Sequence, residues 1–170
     1  MPRTVNFKGN SVPLSGDGPK VGDAAPEASL VAVDLSEAKV SSYKGKVAIV
    51  SVVPSLDTGI CDKQTRRFNE EAGKLANTVV LTISRDLPFA QKRWCGAADA
   101  KNVVTLSDFR GGSFGAAYGL VMSAGPLSGL LGRAVLVIGK DGKVKYQELV
   151  PEITTEPNYD AAIAAAKAAL

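Results

Sequence analysis

One apolar run, Val47-Ala-Ile-Val-Ser-Val-Val53, limits what this chain can fold into more than any other stretch. Its β-branched residues fall on both alternating sets, so a strand made from it needs apolar cover on both faces and belongs in the middle of a sheet with helices packed against it. The run stops at Pro54, and seven residues later comes Cys61, immediately before a pattern with Phe68, Ala72 and Leu75 at i, i+4 and i+7. That spacing predicts a helix beginning near Asp62, with Arg66, Arg67, Glu70 and Glu71 on its wet face. Cys61 therefore stands at a helix N-terminus. There unpartnered backbone N–H groups and the helix dipole favour an anion, which is the reactive, thiolate form of a cysteine. A small buried cysteine is the plainer reading of the same position.

Around this centre the chain alternates strand and helix. Val5-Asn-Phe7 and Ser11-Val-Pro-Leu14, joined through Lys8-Gly-Asn10, predict an N-terminal hairpin over residues 1–16, with Pro13 on an edge. Ala28 to Leu35 reads as a strand, and so do Thr78 to Ser84 and Val103 to Leu106. Asp86 is a candidate N-cap, with Pro88 in the first turn, for a short helix that carries Trp94 and Cys95 to a stop at Gly96. Ser113 to Tyr118 predicts a brief helix closed by Gly119. Ala134–Ile138 and Lys143–Val150 predict a hairpin around Gly139-Lys-Asp-Gly142, which lacks the spacing of a phosphate loop. The alanine-rich end should be a helix from Pro157 to Leu170, with Tyr159, Ile163, Ala166 and Leu170 on one stripe. Together these elements predict an α/β fold, a central mixed β-sheet flanked by helices with an N-terminal β-hairpin, over one domain spanning residues 1–170.

Composition removes several functions. With 45% hydrophobic and 22% charged residues the 170-residue chain can bury a core. A net charge of +3, scattered bases and few aromatics argue against a nucleic-acid platform, and Arg110-Gly-Gly reads as a loop. There is no histidine, so a Cys–His pair is impossible, and two cysteines alone cannot build a zinc site; no metal or cofactor is expected. Leu120 to Gly139 is the one stretch that mimics a membrane span, but Arg133, Pro126 and three glycines break it into loop and strand. The first ten residues carry no apolar signal segment, which makes the cytoplasm the expected location, without a membrane partner.

Pro54-x-x-x-Thr58-x-x-Cys61 resembles the peroxidatic loop of the peroxiredoxins, and the longer string from Pro54 to Ala72 resembles their bacterial thiol peroxidase subfamily. The likeness extends to Ser84–Cys95, Leu106–Arg110, Gly129–Val135 and Glu148–Tyr159, and so covers nearly the whole chain. Gly59 departs from it, because the subfamily usually has Pro between the Thr and the Cys. The resemblance implies a thioredoxin-like fold and a thiol-dependent peroxidase of antioxidant defence that reduces hydrogen peroxide and organic hydroperoxides. It implies Cys61 as peroxidatic cysteine, Thr58 Oγ1 as a hydrogen-bond partner of thiolate and peroxide, Arg133 as the cation that stabilises the thiolate and orients substrate, and Pro54 as a shield. It further implies Cys95 as the resolving thiol, forming an intramolecular disulfide that thioredoxin reduces, and a homodimer.

The residues themselves leave other readings open. Thr58 could be only an N-cap and Pro54 only a strand terminator. Arg133, flanked by Leu130, Leu131 and Ala134, needs a buried anionic partner unless it points to the surface. Cys95 could be a structural cysteine. Then the chain would be either a peroxidase resolved by an external thiol or, with a permanent Cys61–Cys95 bond worth on the order of 3–4 kcal/mol, a redox-inert binding module. The missing signal segment argues against the permanent bond, which is rare in a reducing compartment. A transient bond needs the two Cα atoms within about 7 Å; the resemblance implies that the reduced fold holds them further apart, so both cysteine segments should loosen locally in each cycle. Leu127, Leu130 and Leu131 are candidates to line a pocket beside Arg133, and Asn69 and Asp57 to support the site.

Overall fold

The computed structural model describes residues 3–170. An N-terminal hairpin forms within the expected range 1–16, of which residues 1 and 2 lie outside the described residues: β1 (Thr4–Phe7) pairs antiparallel with β2 (Asn10–Pro13), with Val5 opposite Val12. The main sheet contains β3 (Ser29–Ala32), β4 (Glu37–Lys39), β5 (Val47–Val52), β6 (Thr78–Ser84), β7 (Val103–Ser107), β8 (Ala134–Ile138) and β9 (Val144–Leu149). Their order is β4-β3-β7-β6-β5-β8-β9, parallel through β7-β6-β5 and antiparallel on both flanks. The helices are α1 (Gly59–Ala72), α2 (Pro88–Ala98), α3 (Ser113–Tyr118) and α4 (Tyr159–Ala168). No helix among the described residues is long and apolar enough to cross a membrane.

The doubly covered strand predicted from Val47–Val53 is the one between β6 and β8, and its period-2 alternation divides the core. Ala48, Val50 and Val52 pack with Phe114 and Tyr118 of α3 and with Leu136 of β8. Val47, Ile49 and Val53 face the opposite way, with Phe68 of α1, Trp94 of α2 and Ala162 and Ile163 of α4. The same parity runs through β8, where Val135 and Val137 share the α1 side. Arg133, two residues before Val135, is thereby aimed at that side, where Cys61 lies.

Beyond shifts of one residue at strand ends, several boundaries differ from the sequence expectation. The strand from Ala28 stops at Ala32, because Asp34 Oδ1 accepts the Ser36 N–H and Leu35 takes φ 70°, turning the chain back as β4. Helix α1 begins at Gly59 with Thr58 as N-cap, so Cys61 is inside its first turn rather than ahead of it. Helix α2 has Leu87, not Asp86, at its N-cap and runs past Gly96 to Ala98, closing on Asp99 in the left-handed conformation. Leu170 lies beyond the end of α4 and is 47% exposed, so the apolar stripe ends at Ala166.

Candidate active site

Helix α1 delivers Cys61 to the core face of the sheet, with no exposed surface. Thr58 caps the helix in backbone conformation only: its hydroxyl donates to Ser55 O at 3.0 Å, and among the described residues no side chain takes up the first-turn N–H groups. Those donors stay available at the end of a 14-residue helix. Arg133 arrives from the start of β8 and is 2% exposed. Its Nη2 donates to Cys61 Sγ at 3.3 Å, Nη1 to Gln64 Oε1 at 2.9 Å and Nε to Ile153 O at 2.8 Å. Arg133 thus points into the core rather than to the surface, and its buried partners are the Cys61 sulfur, the Gln64 amide oxygen and the Ile153 carbonyl.

Gln64 was not foreseen. It lies one helical turn after Cys61 and four residues before Phe68, on the buried face of α1, and its Nε2 donates to Ser51 Oγ at 2.8 Å. Ser51 is the one polar residue of the central run and shares the α1 side with Ile49. A buried hydroxyl in an apolar strand requires a partner, and that requirement was the available signal. Ser51, Gln64 and Arg133 thus form a chain in which each polar group orients the next, ending at Cys61.

An open cavity of about 370 Å³ adjoins the site, with Pro54, Thr58, Lys63, Leu127, Leu130 and Arg133 in its wall. Arg133 belongs to both cavity and sulfur contact. Leu127 and Leu130 line the cavity as anticipated, whereas Leu131 turns to the opposite side of the sheet with Leu120 and Phe114. The Cβ of any residue replacing Gly59 would project into open space. Asp57 and Asn69 do not join the site: Asp57 pairs with Arg93 at 3.3 Å on the surface, and Asn69 accepts the Asn102 N–H at 2.8 Å. Asp86, read as a helix cap, instead accepts from Ser55 Oγ at 2.7 Å, Leu56 N–H at 2.8 Å and Ser84 Oγ at 2.7 Å, and so fastens the loop after Pro54 to the end of β6.

Cys95 is a free, half-buried thiol within α2, and Cys61 is also free. Cys95 Sγ contacts Thr105 Oγ1 at 3.9 Å on β7, and burial pushes its thiol above the usual cysteine range, against a smaller opposing effect of Thr105. Cys95 thus contacts β7, whereas Cys61 lies against Arg133, which leads into β8 on the far side of β6 and β5 in the sheet order. Next to each cysteine a hydrogen bond joins the two helices, Trp94 Nε1 donating to Asp62 Oδ1 at 2.8 Å.

Known proteins resemble this chain over nearly its full length. The Redoxin family model matches residues 20–163. A thiol peroxidase of Listeria monocytogenes serotype 4b is 55% identical over 165 residues, which is 97% of this chain and 98% of the relative. A thiol peroxidase of Bacillus subtilis strain 168 is 52% identical over 164 residues, 96% of each chain. Among solved structures, a peroxiredoxin-like protein from Aquifex aeolicus superposes with a TM-score of 0.94 at 47% identity, covering 99% of this chain and 98% of its own. The central mixed sheet with its flanking helices is accordingly the thioredoxin-like fold of the peroxiredoxins. The chain belongs to the Redoxin family, and within it to the peroxiredoxin-type thiol peroxidases.

Proposed function

We propose that Cys61 carries the thiol-dependent peroxidase activity of this family member, and that Cys95 resolves it. The observation that supports this reading best is the 3.3 Å contact from the buried Arg133 guanidinium to Cys61 Sγ, at a helix N-terminus and beside a cavity. A cation and first-turn N–H groups in a dry site stabilise negative charge on sulfur, and then on the departing oxygen. The thiolate attacks one peroxide oxygen, the O–O bond breaks, and the other oxygen leaves as water or an alcohol after taking a proton. Thr58 Oγ1 spends its own proton on Ser55 O, which leaves its lone pairs to accept the O–H of a peroxide. Pro54, in the same wall, excludes water from the sulfur. The apolar contribution of Leu127 and Leu130 suits organic hydroperoxides in addition to hydrogen peroxide.

The resulting Cys61 sulfenic acid condenses with the Cys95 thiol, releasing water and forming a disulfide. Because Cys61 is fully buried in the first turn of α1 and Cys95 sits within α2, the first turn of α1 and the later turns of α2 unwind locally for this step. Exposure of Cys95 in that opened state removes the burial that holds its thiol protonated. A thioredoxin dithiol then reduces the disulfide. We place the cycle in the cytoplasm, as part of antioxidant defence, and in a homodimer, as the family resemblance implies. Peroxide consumption coupled to thioredoxin tests the assignment: Cys61→Ser should abolish turnover and Cys95→Ser should abolish only the thioredoxin-linked part. Turnover that survives in Cys61→Ser would refute it.

A further inference from the structure

Of the three groups that hold the Arg133 guanidinium, Gln64 and Cys61 lie on α1, and the third, Ile153 O, lies in a segment outside any helix or strand. No ladder fixes such a carbonyl, so its position depends on what clamps the segment. The clamp is visible. Glu152 accepts from Gly9 N–H at 2.8 Å and Lys8 N–H at 3.3 Å, both at the tip of the N-terminal hairpin, and from Thr154 N–H at 3.0 Å and Thr154 Oγ1 at 2.9 Å. Lys8 and Gly9 both have positive φ, 51° and 82°, which turns their N–H groups toward one acceptor. Backbone bonds continue the seam: Asn6 N–H donates to Pro151 O at 2.6 Å and Ile153 N–H to Asn6 O at 2.9 Å. The Ile153 side chain packs with Val5, Val12, Leu14 and Met122, so the hairpin and the segment share a core. Phe7, Ile153 and Thr154 also stand in the cavity wall with Arg133.

We propose that Glu152 is a positioning residue for Arg133: by fastening the hairpin tip to residues 151–154, its carboxylate fixes the Ile153 carbonyl that aims the guanidinium at Cys61 and the cavity. Glu152 makes no ion pair with Arg133 among the described residues, so the effect passes through backbone placement rather than charge. Four donors converging on one carboxylate also hold it ionised, well below the usual carboxylate range. The inference rests on Cys61 being the thiol that meets peroxide.

The test separates the two half-reactions of the wild-type protein and of Glu152→Ala, by following oxidation of Cys61 by hydrogen peroxide and reduction of the disulfide by thioredoxin. Loss of aim should lower the second-order rate with peroxide roughly ten- to a hundred-fold and leave the reduction step unchanged. In an Arg133→Gln background, Glu152→Ala should cost nothing more. Glu152→Gln, which keeps an acceptor oxygen for the hairpin tip, should recover part of the rate. Should the alanine variant fail to fold, Glu152→Gln and Thr154→Val, each weakening the clamp less, should show smaller losses confined to the peroxide step. Equal losses in both steps, no loss at all, or full additivity with Arg133→Gln would each overturn the inference. A wild-type protein inert to peroxide would overturn the functional reading along with it, whereas a reactive wild type matched by the variants overturns this inference alone.

Discussion

Arg133 Nη2 and Cys61 Sγ are 3.3 Å apart across 72 positions of sequence, one at the start of a central antiparallel strand and the other in the first turn of the helix packed over it. Strand parity and helix register both have to be right for the pair to meet. Arg133→Lys should fail to replace it, because one ammonium cannot reach Ile153 O, Gln64 Oε1 and the sulfur from the fixed geometry of the guanidinium fork. The second-order rate of Cys61 with hydrogen peroxide should fall on the order of 10²–10³-fold in Arg133→Lys and in Arg133→Gln, as expected for removal of a preorganised charge-stabilising donor. Stopped-flow oxidation of the reduced protein measures this directly.

Gln64→Leu keeps approximate volume but strands Ser51 Oγ and Arg133 Nη1 without partners in the core. Buried groups left unpaired should cost about 1–3 kcal/mol of stability, read from urea unfolding. Adding Ser51→Ala to Gln64→Leu removes one stranded group and should restore part of that loss, whereas independent sites would give additive losses.

Gly59→Pro should stabilise the fold. Gly59 is the first residue of α1, where an N–H has no intrahelical partner, and the preceding Thr58 already has the extended ψ of 149° that a following proline requires. No heavy atom lies within 4 Å of a Cβ placed there. The gain should be about 0.4–1 kcal/mol, from reduced freedom of the unfolded chain, seen as a raised Tm. The same stiffness should slow formation of the Cys61–Cys95 disulfide, which requires this turn to open.

Much of this organisation was legible in the residues. Short continuous apolar runs marked β5, β6 and β8 because strands covered on both faces leave few polar residues to confuse the reading, and Gly119 closed α3 as expected. The apolar neighbours of Arg133 announced that it needed a buried partner. What stayed hidden depended on tertiary competition. Asp86 has the chemistry and spacing of an N-cap, yet Ser55, Ser84 and the Leu56 N–H claim its carboxylate. Gln64 and Ser51 meet only because α1 crosses β5 at that register, and β4 is a short polar edge strand with no apolar signature. The carbonyl of Ile153 carries no side-chain signal at all.

Acid should probe the hairpin seam. The Thr154 and Gly9 N–H groups, chief among its donors, hold the Glu152 carboxyl at about 2, against an ordinary value of 4.5. A folded value below the unfolded one means that the stabilisation is fully present above pH 4.5 and is lost as pH falls from there toward 2. Melting curves of the wild type and Glu152→Gln should therefore differ at neutral pH and converge across that window. Curves that stay apart down to pH 2 would contradict the assigned cause.

The most direct measurement is a free-thiol count by intact mass, under denaturing conditions, on reduced protein before and after one equivalent of hydrogen peroxide. Both thiols should be lost rapidly as one intramolecular disulfide, restored to two thiols by reduced thioredoxin, with Cys95→Ser halting instead at an oxidised Cys61. Two thiols that survive, or are lost only as slowly as ordinary cysteine, would contradict it.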